Sequence, residues 1–245
     1  MLTFADSLLG YSPQRRFELF TGSDSEELLE KNLKEKPTDW YYRNNTISYE
    51  RNEHGHRCKN ISDVDLDNYI LTIGCSHTEG IGLKVEDTYS HVLSKKLNTD
   101  YYNLGIGGSG IDLIEYNLIT WFSTIVKHPK LVVVQWPDLS RYLTKLRRDD
   151  QEIVPVGPWR QERTISDFMF AGSENNFFRT RQLLSNKLLK NFIKVPQIHI
   201  KMYTDDPVEW ILMKCTDLSR DGVHYGKDSH EHLAEQIKER INLIS

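Results

Sequence analysis

Three short stretches of this chain carry residue types that can move protons and meet developing negative charge. The first is Gly74-Cys75-Ser76-His77-Thr78. A serine between a strand end and the next segment can present its hydroxyl upward, with backbone N–H groups of the turn beside it to stabilise an oxyanion. The second is Asn103-Leu-Gly-Ile-Gly-Gly-Ser-Gly110, whose glycines let N–H groups approach a substrate oxygen closely. The third is Asp221-Gly-Val-His224, in which an aspartate three residues ahead of a histidine can accept from one ring nitrogen. The other nitrogen is then free to take a serine proton. Each stretch alone reads equally well as ordinary turn structure. In this order and separation the combination is much more specific than any one of them.

The elements that must position these residues can be read from periodicity. Tyr69–Ile73 is a short β-branched run ending at Gly74, and Leu131–Val134 is apolar throughout, as expected of strands buried on both faces. Tyr101–Leu104 predicts a further strand, and Gln197–Lys201 another. Between them, Tyr89, Val92, Leu93 and Leu97 share one helical face, and Ile111, Ile114, Leu118, Trp121, Phe122 and Ile125 share another. Phe177–Ile193 reads as a helix. The last helix is expected to start on a capping box of Asp228 and Glu231, and to bury Leu233, Ile237, Ile241 and Ile244. Strands alternating with amphipathic helices predict a three-layer α/β/α, flavodoxin-like domain with a parallel sheet of about five strands. Ligands bind such sheets beyond the carboxyl ends of the strands, where the serine block and the glycine block fall. Residues 1–65 are polar and weakly periodic. They read as an N-terminal extension packed on the main domain of 66–245, with one helix (Asp24–Leu33) and one hairpin (Thr46–Arg57). The charged stretch from Ser140 to Asn175, broken by Pro155 and Pro158, reads as loop-rich.

From Tyr69 to Ile244 the chain resembles the SGNH/GDSL hydrolase family. Gly74-Cys75-Ser76 is similar to the family's G-D-S block, Asn103–Gly110 to its second block, and Asp221 with His224 to its D-x-x-H block. The Tyr49-x-x-Asn52-x-x-Gly55-x-Arg57 pattern looks like the segment that precedes the first strand in a subset of these proteins. The resemblance implies Ser76 as nucleophile, His224 as general base oriented by Asp221, and Gly108 as oxyanion donor, with Gly105 as the lesser candidate. Two departures stand out. Cys75 replaces the aspartate of the first block, which is not the acid of the triad. The family's G-x-N-D motif is replaced by Gln135-Trp136-Pro137-Asp138, so its oxyanion asparagine is missing. Gln135 through its amide, or Trp136 through its indole N–H, could stand in for it. Losing one such donor outright costs on the order of 10²–10³ in turnover. The resemblance implies cleavage of an ester, first among them an O-acetylated carbohydrate, since no long apolar segment suggests a lipid-binding lid. An acyltransferase on the same fold, or a non-catalytic carbohydrate-binding module, are the alternatives.

The remaining features have plainer readings. The chain of 245 residues has a net charge of -4, so no basic excess points to a nucleic-acid partner. No run approaches the roughly 18 consecutive apolar residues of a membrane span. The N-terminus lacks the basic region and small-residue cleavage site of a secretion signal, which predicts a soluble, cytoplasmic protein. Three cysteines do not form a disulfide framework. His54, His56 and Cys58 match zinc spacing poorly, and neither metal nor organic cofactor is expected. His77 is expected to point away from the nucleophile. Glu79 receives no role, and oligomeric state is not legible.

Overall fold

The computed structural model describes residues 2–5, 8–138, 140–145, 153–157, 177–202 and 209–244. The N-terminal region contributes β1 (Leu2–Ala5), β2 (Leu8–Tyr11), β3 (Phe17–Glu18), α1 (Glu26–Glu35) and β4 (Tyr49–Glu50). There follow β5 (Tyr69–Ile73), α2 (Ser76–Glu79), α3 (Tyr89–Leu97), β6 (Asp100–Asn103), α4 (Ile111–Thr124) and β7 (Leu131–Gln135). The chain continues through β8 (Tyr142–Lys145), β9 (Ile153–Val156), α5 (Phe177–Phe192), β10 (Gln197–Lys201), β11 (Ile211–Leu212) and α6 (Lys227–Ile244).

The central sheet is parallel throughout, with spatial order β11-β10-β7-β5-β6. Numbered by their order within this sheet, the strands run 2-1-3-4-5, the flavodoxin-like order. Its switch point lies between β5 and β7. The alternation of a strand sorts side chains to two cores. Tyr69, Leu71, Ile73, Val132 and Val134 pack under α4 and α5, with Ile114, Leu118, Trp121 and Leu189. Ile70, Leu131, Val133, Ile198 and Ile200 face α3 and α6, meeting Tyr89, Leu93, Leu233 and Ile237. Both faces are covered, which is why β5 and β7 read as unbroken apolar runs. Among the described residues no helix is long and apolar enough to cross a membrane.

Several expectations need correction. The hairpin expected within Thr46–Arg57 does not form; β4 pairs instead with β3, thirty residues upstream, through Phe17↔Glu50 and Glu18↔Tyr49. The loop-rich reading of Ser140–Asn175 fails at β8 and β9, which join β1 and β2 in a second, antiparallel sheet of order β2-β1-β9-β8. The rest of that stretch, residues 146–152 and 158–175, lies outside the described residues. Edge strand β2 is satisfied from the side: Asn117 of α4 accepts from the Leu9 N–H and donates to its carbonyl, both at 2.9 Å. The cap of α6 is Asp217, not the Asp228 and Glu231 pair. Its carboxylate accepts the Ser229 N–H at 2.8 Å and the Asp228 N–H at 3.1 Å. The side chain of Ile244 lies outside the described residues; Leu233 and Ile237 are buried as expected.

Histidines 56, 199 and 230 sit inside this framework. Both nitrogens of His56 are engaged, by the Tyr102 hydroxyl and the Leu9 carbonyl at 3.1 Å each, so it is a core residue. His230 Nδ1 accepts the Tyr89 N–H at 3.0 Å. Burial pushes all three imidazoles down to about 3. A depressed histidine value means the unfolded chain takes up the proton first, so stability is full above about pH 6.5 and declines toward pH 3. Urea unfolding is expected to show the midpoint falling steadily below pH 6.5, as the unfolded chain takes up protons that the folded histidines refuse. A midpoint flat from pH 7 to pH 4.5 would contradict this placement.

Candidate active site

The switch point delivers the serine. After β5 ends at Ile73, Cys75 stays extended at φ -95°, ψ -150°, and Ser76 opens the four-residue α2. Gly74 is needed where it stands: a Cβ there would lie 2.3 Å from Thr78 Oγ1 and 2.8 Å from Gln135 Oε1. Through that gap Gln135, at the end of β7, accepts from the Thr78 hydroxyl at 2.8 Å and the Cys75 thiol at 3.5 Å. Cys75 is buried as a small strand-end residue, and Ser76 is 8% exposed.

Ser76 Oγ lies 2.7 Å from His224 Nε2, across 148 residues of sequence. His224 Nδ1 lies 2.6 Å from Asp221 Oδ2. An ionised carboxylate can only accept, so Nδ1 carries the hydrogen and Nε2 is left to accept from Ser76. Asp221 Oδ1 gathers the backbone N–H groups of Val223 and His224 at 2.9 Å each and the Ser219 hydroxyl at 2.8 Å. Burial alone would raise this carboxyl. The hydrogen bond and charge of His224, the Ser23 hydroxyl and the backbone donor outweigh it and hold Asp221 well below the usual carboxylate range.

His77, the residue after the serine, packs beside the base. Its ring packs edge-on against His224, with centroids 5.0 Å apart, and against Tyr225 at 4.7 Å. Burial, then the neighbouring His224, push His77 well below the ordinary imidazole value, so it stays neutral beside the base.

The glycine block turns in beside the serine. A Cβ on Gly107 would stand 3.9 Å from Ser76 Cβ. Gly108 follows at φ +77°, a conformation that favours glycine, and its N–H meets no acceptor among the described residues. The Ser76 N–H is likewise unspent. Gly105 is different: its N–H donates to Asn103 Oδ1 at 2.8 Å, and a Cβ there would meet the Thr78–Glu79 backbone. It is a packing glycine and not an oxyanion donor. Trp136 is ruled out similarly. Its indole N–H donates to His199 Nδ1 at 3.1 Å, and its ring is buried in a stack with His199 and Trp210. Gln135 stands otherwise, because its Nε2 is buried with no partner among the described residues.

Glu79, to which the sequence assigns nothing, holds this turn. Its side chain is fully buried and receives the Gly107 N–H at 2.6 Å, the Tyr11 hydroxyl at 2.9 Å and Arg51 Nη2 at 3.0 Å. Burial and then the Glu79 charge push the Tyr11 phenol far up, so it remains a donor. A buried carboxylate demands a cation, and Arg51, 28 residues upstream, supplies it.

The pattern ahead of β5 is spent on the same region. The Tyr49 hydroxyl accepts the Gly82 N–H at 2.8 Å, and Asn52 Oδ1 accepts from the His54 and His56 N–H groups at 3.0 and 2.9 Å. Arg57 donates to the carbonyls of Gly80, Leu83 and Ser48 at 2.6 to 2.8 Å.

No protein-family model and no curated protein sequence matches the chain. Among solved structures it is similar to a carbohydrate esterase described as having divergent catalytic and non-catalytic binding functions in its active site. Identity there is 14% over 72% of this chain and 65% of that one, with a TM-score of 0.42. It is also similar to a carbohydrate esterase family 2 enzyme with a carbohydrate-binding domain from Corynascus thermopiles (Myceliophthora fergusii). That match has 14% identity over 71% of this chain and 65% of the other, at TM-score 0.42. A lipolytic protein of the G-D-S-L family from Desulfitobacterium hafniense is 10% identical over 70% of this chain and 98% of its own, at TM-score 0.38. The chain thus spans 65% of the length of the two carbohydrate esterases.

Glu79→Gln removes the charge while keeping the shape, leaving Arg51 with Glu18, at 2.7 Å, as its ion-pair partner. The unfolding free energy from urea titration is expected to fall by about 1.5–3 kcal/mol, the range for losing a hydrogen bond to a charged group. Adding Arg51→Met should recover part of that loss, since the two changes share one interaction. Strict additivity would show that the pair is not coupled.

Proposed function

We propose that this chain is a serine ester hydrolase of the SGNH/GDSL type, working through an acyl-enzyme on Ser76. The observation that carries the proposal is the unbroken line Ser76 Oγ to His224 Nε2 at 2.7 Å and His224 Nδ1 to Asp221 Oδ2 at 2.6 Å. His224 takes the hydroxyl proton as Ser76 Oγ attacks the ester carbonyl carbon, and the imidazolium is stabilised by the Asp221 carboxylate. The tetrahedral oxyanion is received by the N–H groups of Ser76 and Gly108, with Gln135 Nε2 as third donor. Collapse breaks the C–O bond to the alcohol, which leaves with the proton from Nε2. Water then repeats the sequence on the acyl-enzyme and frees the acid. Gln135 is assigned the task of the missing asparagine because its oxygen is tied down beside Ser76 while its NH2 is unspent. The substrate class proposed is an ester of a short acyl group, O-acetylated carbohydrate first.

Steady-state hydrolysis of p-nitrophenyl acetate tests the proposal, with acetylated xylan and a long-chain p-nitrophenyl ester beside it. The wild type is expected to turn over the acetyl substrates, and Ser76→Ala and His224→Ala to fall at least about 10³-fold. Gln135→Ala is expected to lower kcat about 10²-fold with KM little changed, as for a donor used only in the transition state. Equal rates in wild type and Ser76→Ala would remove the mechanism. Binding of acetylated glycan without turnover would favour the non-catalytic reading.

A further inference from the structure

The polar N-terminal region reaches the acid–base pair with one side chain. Thr21 and Asp24 close a tight turn through two backbone hydrogen bonds of 3.0 Å. At its tip Ser23 Oγ lies 2.7 Å from Asp221 Oδ2 and 3.2 Å from His224 Nδ1. The turn cannot drift, because the next residue is clamped. The Asp24 carboxylate, 1% exposed, takes Arg220 Nε at 3.0 Å and Nη2 at 2.6 Å, and accepts from the Tyr49 hydroxyl. Arg220 also donates to the Leu19 carbonyl at 2.7 Å, and its own carbonyl receives Asn32 Nδ2 at 2.9 Å. Residues 23 and 24 therefore meet residues 221 and 220 as two adjacent rungs, one neutral and one ionic.

Ser23 has one proton, and the ionised Asp221 can only accept it. The serine oxygen consequently turns a lone pair toward His224 Nδ1, from 3.2 Å. The Nδ1–H of His224 then faces two acceptors, and the tautomer with a bare Nε2 toward Ser76 is the one that satisfies both. We infer that Ser23 is a positioning residue for His224, supplied by the N-terminal region. It locks the ring tautomer and shares the Oδ2 charge of Asp221. This rests on the reading of Ser76 and His224 as nucleophile and base. It adds a fourth group to that line which no strand-end motif of the central sheet contains.

Asp221 lies on the same loop as His224, and His77 packs against the ring from α2. Removing the Ser23 hydroxyl takes one donor from Oδ2 and one acceptor from the Nδ1–H, so the ring loses a contact that holds its tautomer.

The test compares wild type, Ser23→Ala and Ser23→Thr by NMR of the His224 ring and by p-nitrophenyl acetate kinetics on the same samples. In Ser23→Ala the Nδ1 proton is expected to exchange faster, and kcat to fall roughly ten-fold at unchanged KM. Ser23→Thr, which keeps the hydroxyl, is expected to restore both. An unchanged Nδ1 proton in a folded Ser23→Ala would overturn the inference. Should Ser23→Ala unfold, a folded Ser23→Thr without the wild-type Nδ1 proton signal would overturn it as well. The NMR arm needs no substrate, so a wild type without esterase activity would sink the hydrolase reading while the role of Ser23 was still decided.

Discussion

A single buried carboxylate holds together the parts on which the proposed chemistry depends. Glu79 closes the short helix that Ser76 opens, and its side chain is fully enclosed. An enclosed charge is tolerated only when it is paired and its lone pairs are filled. The three partners that fill them come from two places: Arg51 and Tyr11 from the N-terminal region, and the Gly107 N–H from the turn after β6. The serine, the turn carrying the Gly108 N–H, and the N-terminal region are thereby fixed to one another through one group. Arg51 in turn lies over the Tyr11 ring, 4.1 Å from its centroid, and pairs with Glu18 at 2.7 Å.

A second buried pair does the same for the other half of the site. Asp24 and Arg220 join the turn at residues 21–24 to the loop that carries Asp221 and His224. The sheet alone places Ser76 at the switch point, but the acid–base loop belongs to no strand. It is held by its own closure, through the Ser219 N–H to the His224 carbonyl at 2.9 Å, and by contacts to residues far upstream. Through these contacts the N-terminal region is joined to the loop that carries Asp221 and His224.

What could be read in advance follows from where the information lies. The apolar runs of β5 and β7 and the striped helices α4 and α6 are local, and burial on both sheet faces imposes them directly. Ser76, Asp221 and His224 were singled out through short motifs whose order along the chain is informative, and their side chains come within hydrogen-bond distance. Glu79, Ser23 and Asp24 were not, because their partners lie 28 to 198 residues away and polar side chains leave no periodic trace. The same reason misled the hairpin expected at Thr46–Arg57. A two-residue strand such as β4 has too little pattern to reveal that its partner is β3. By position Gly105 stood as the lesser candidate beside Gly108, and Trp136 as the alternative to Gln135. Only the hydrogen-bond partners separate them, since Gly105 and Trp136 have already spent their N–H groups on Asn103 and His199.

The central claim is that Ser76 is a nucleophile activated by His224, and covalent labelling reads this without knowledge of the substrate. Intact mass after treatment with a fluorophosphonate, followed by peptide mapping, is the direct measurement. The account predicts a single adduct on Ser76, absent in Ser76→Ala and strongly slowed in His224→Ala. A folded wild-type protein that takes no adduct, or takes one at another residue, would contradict it.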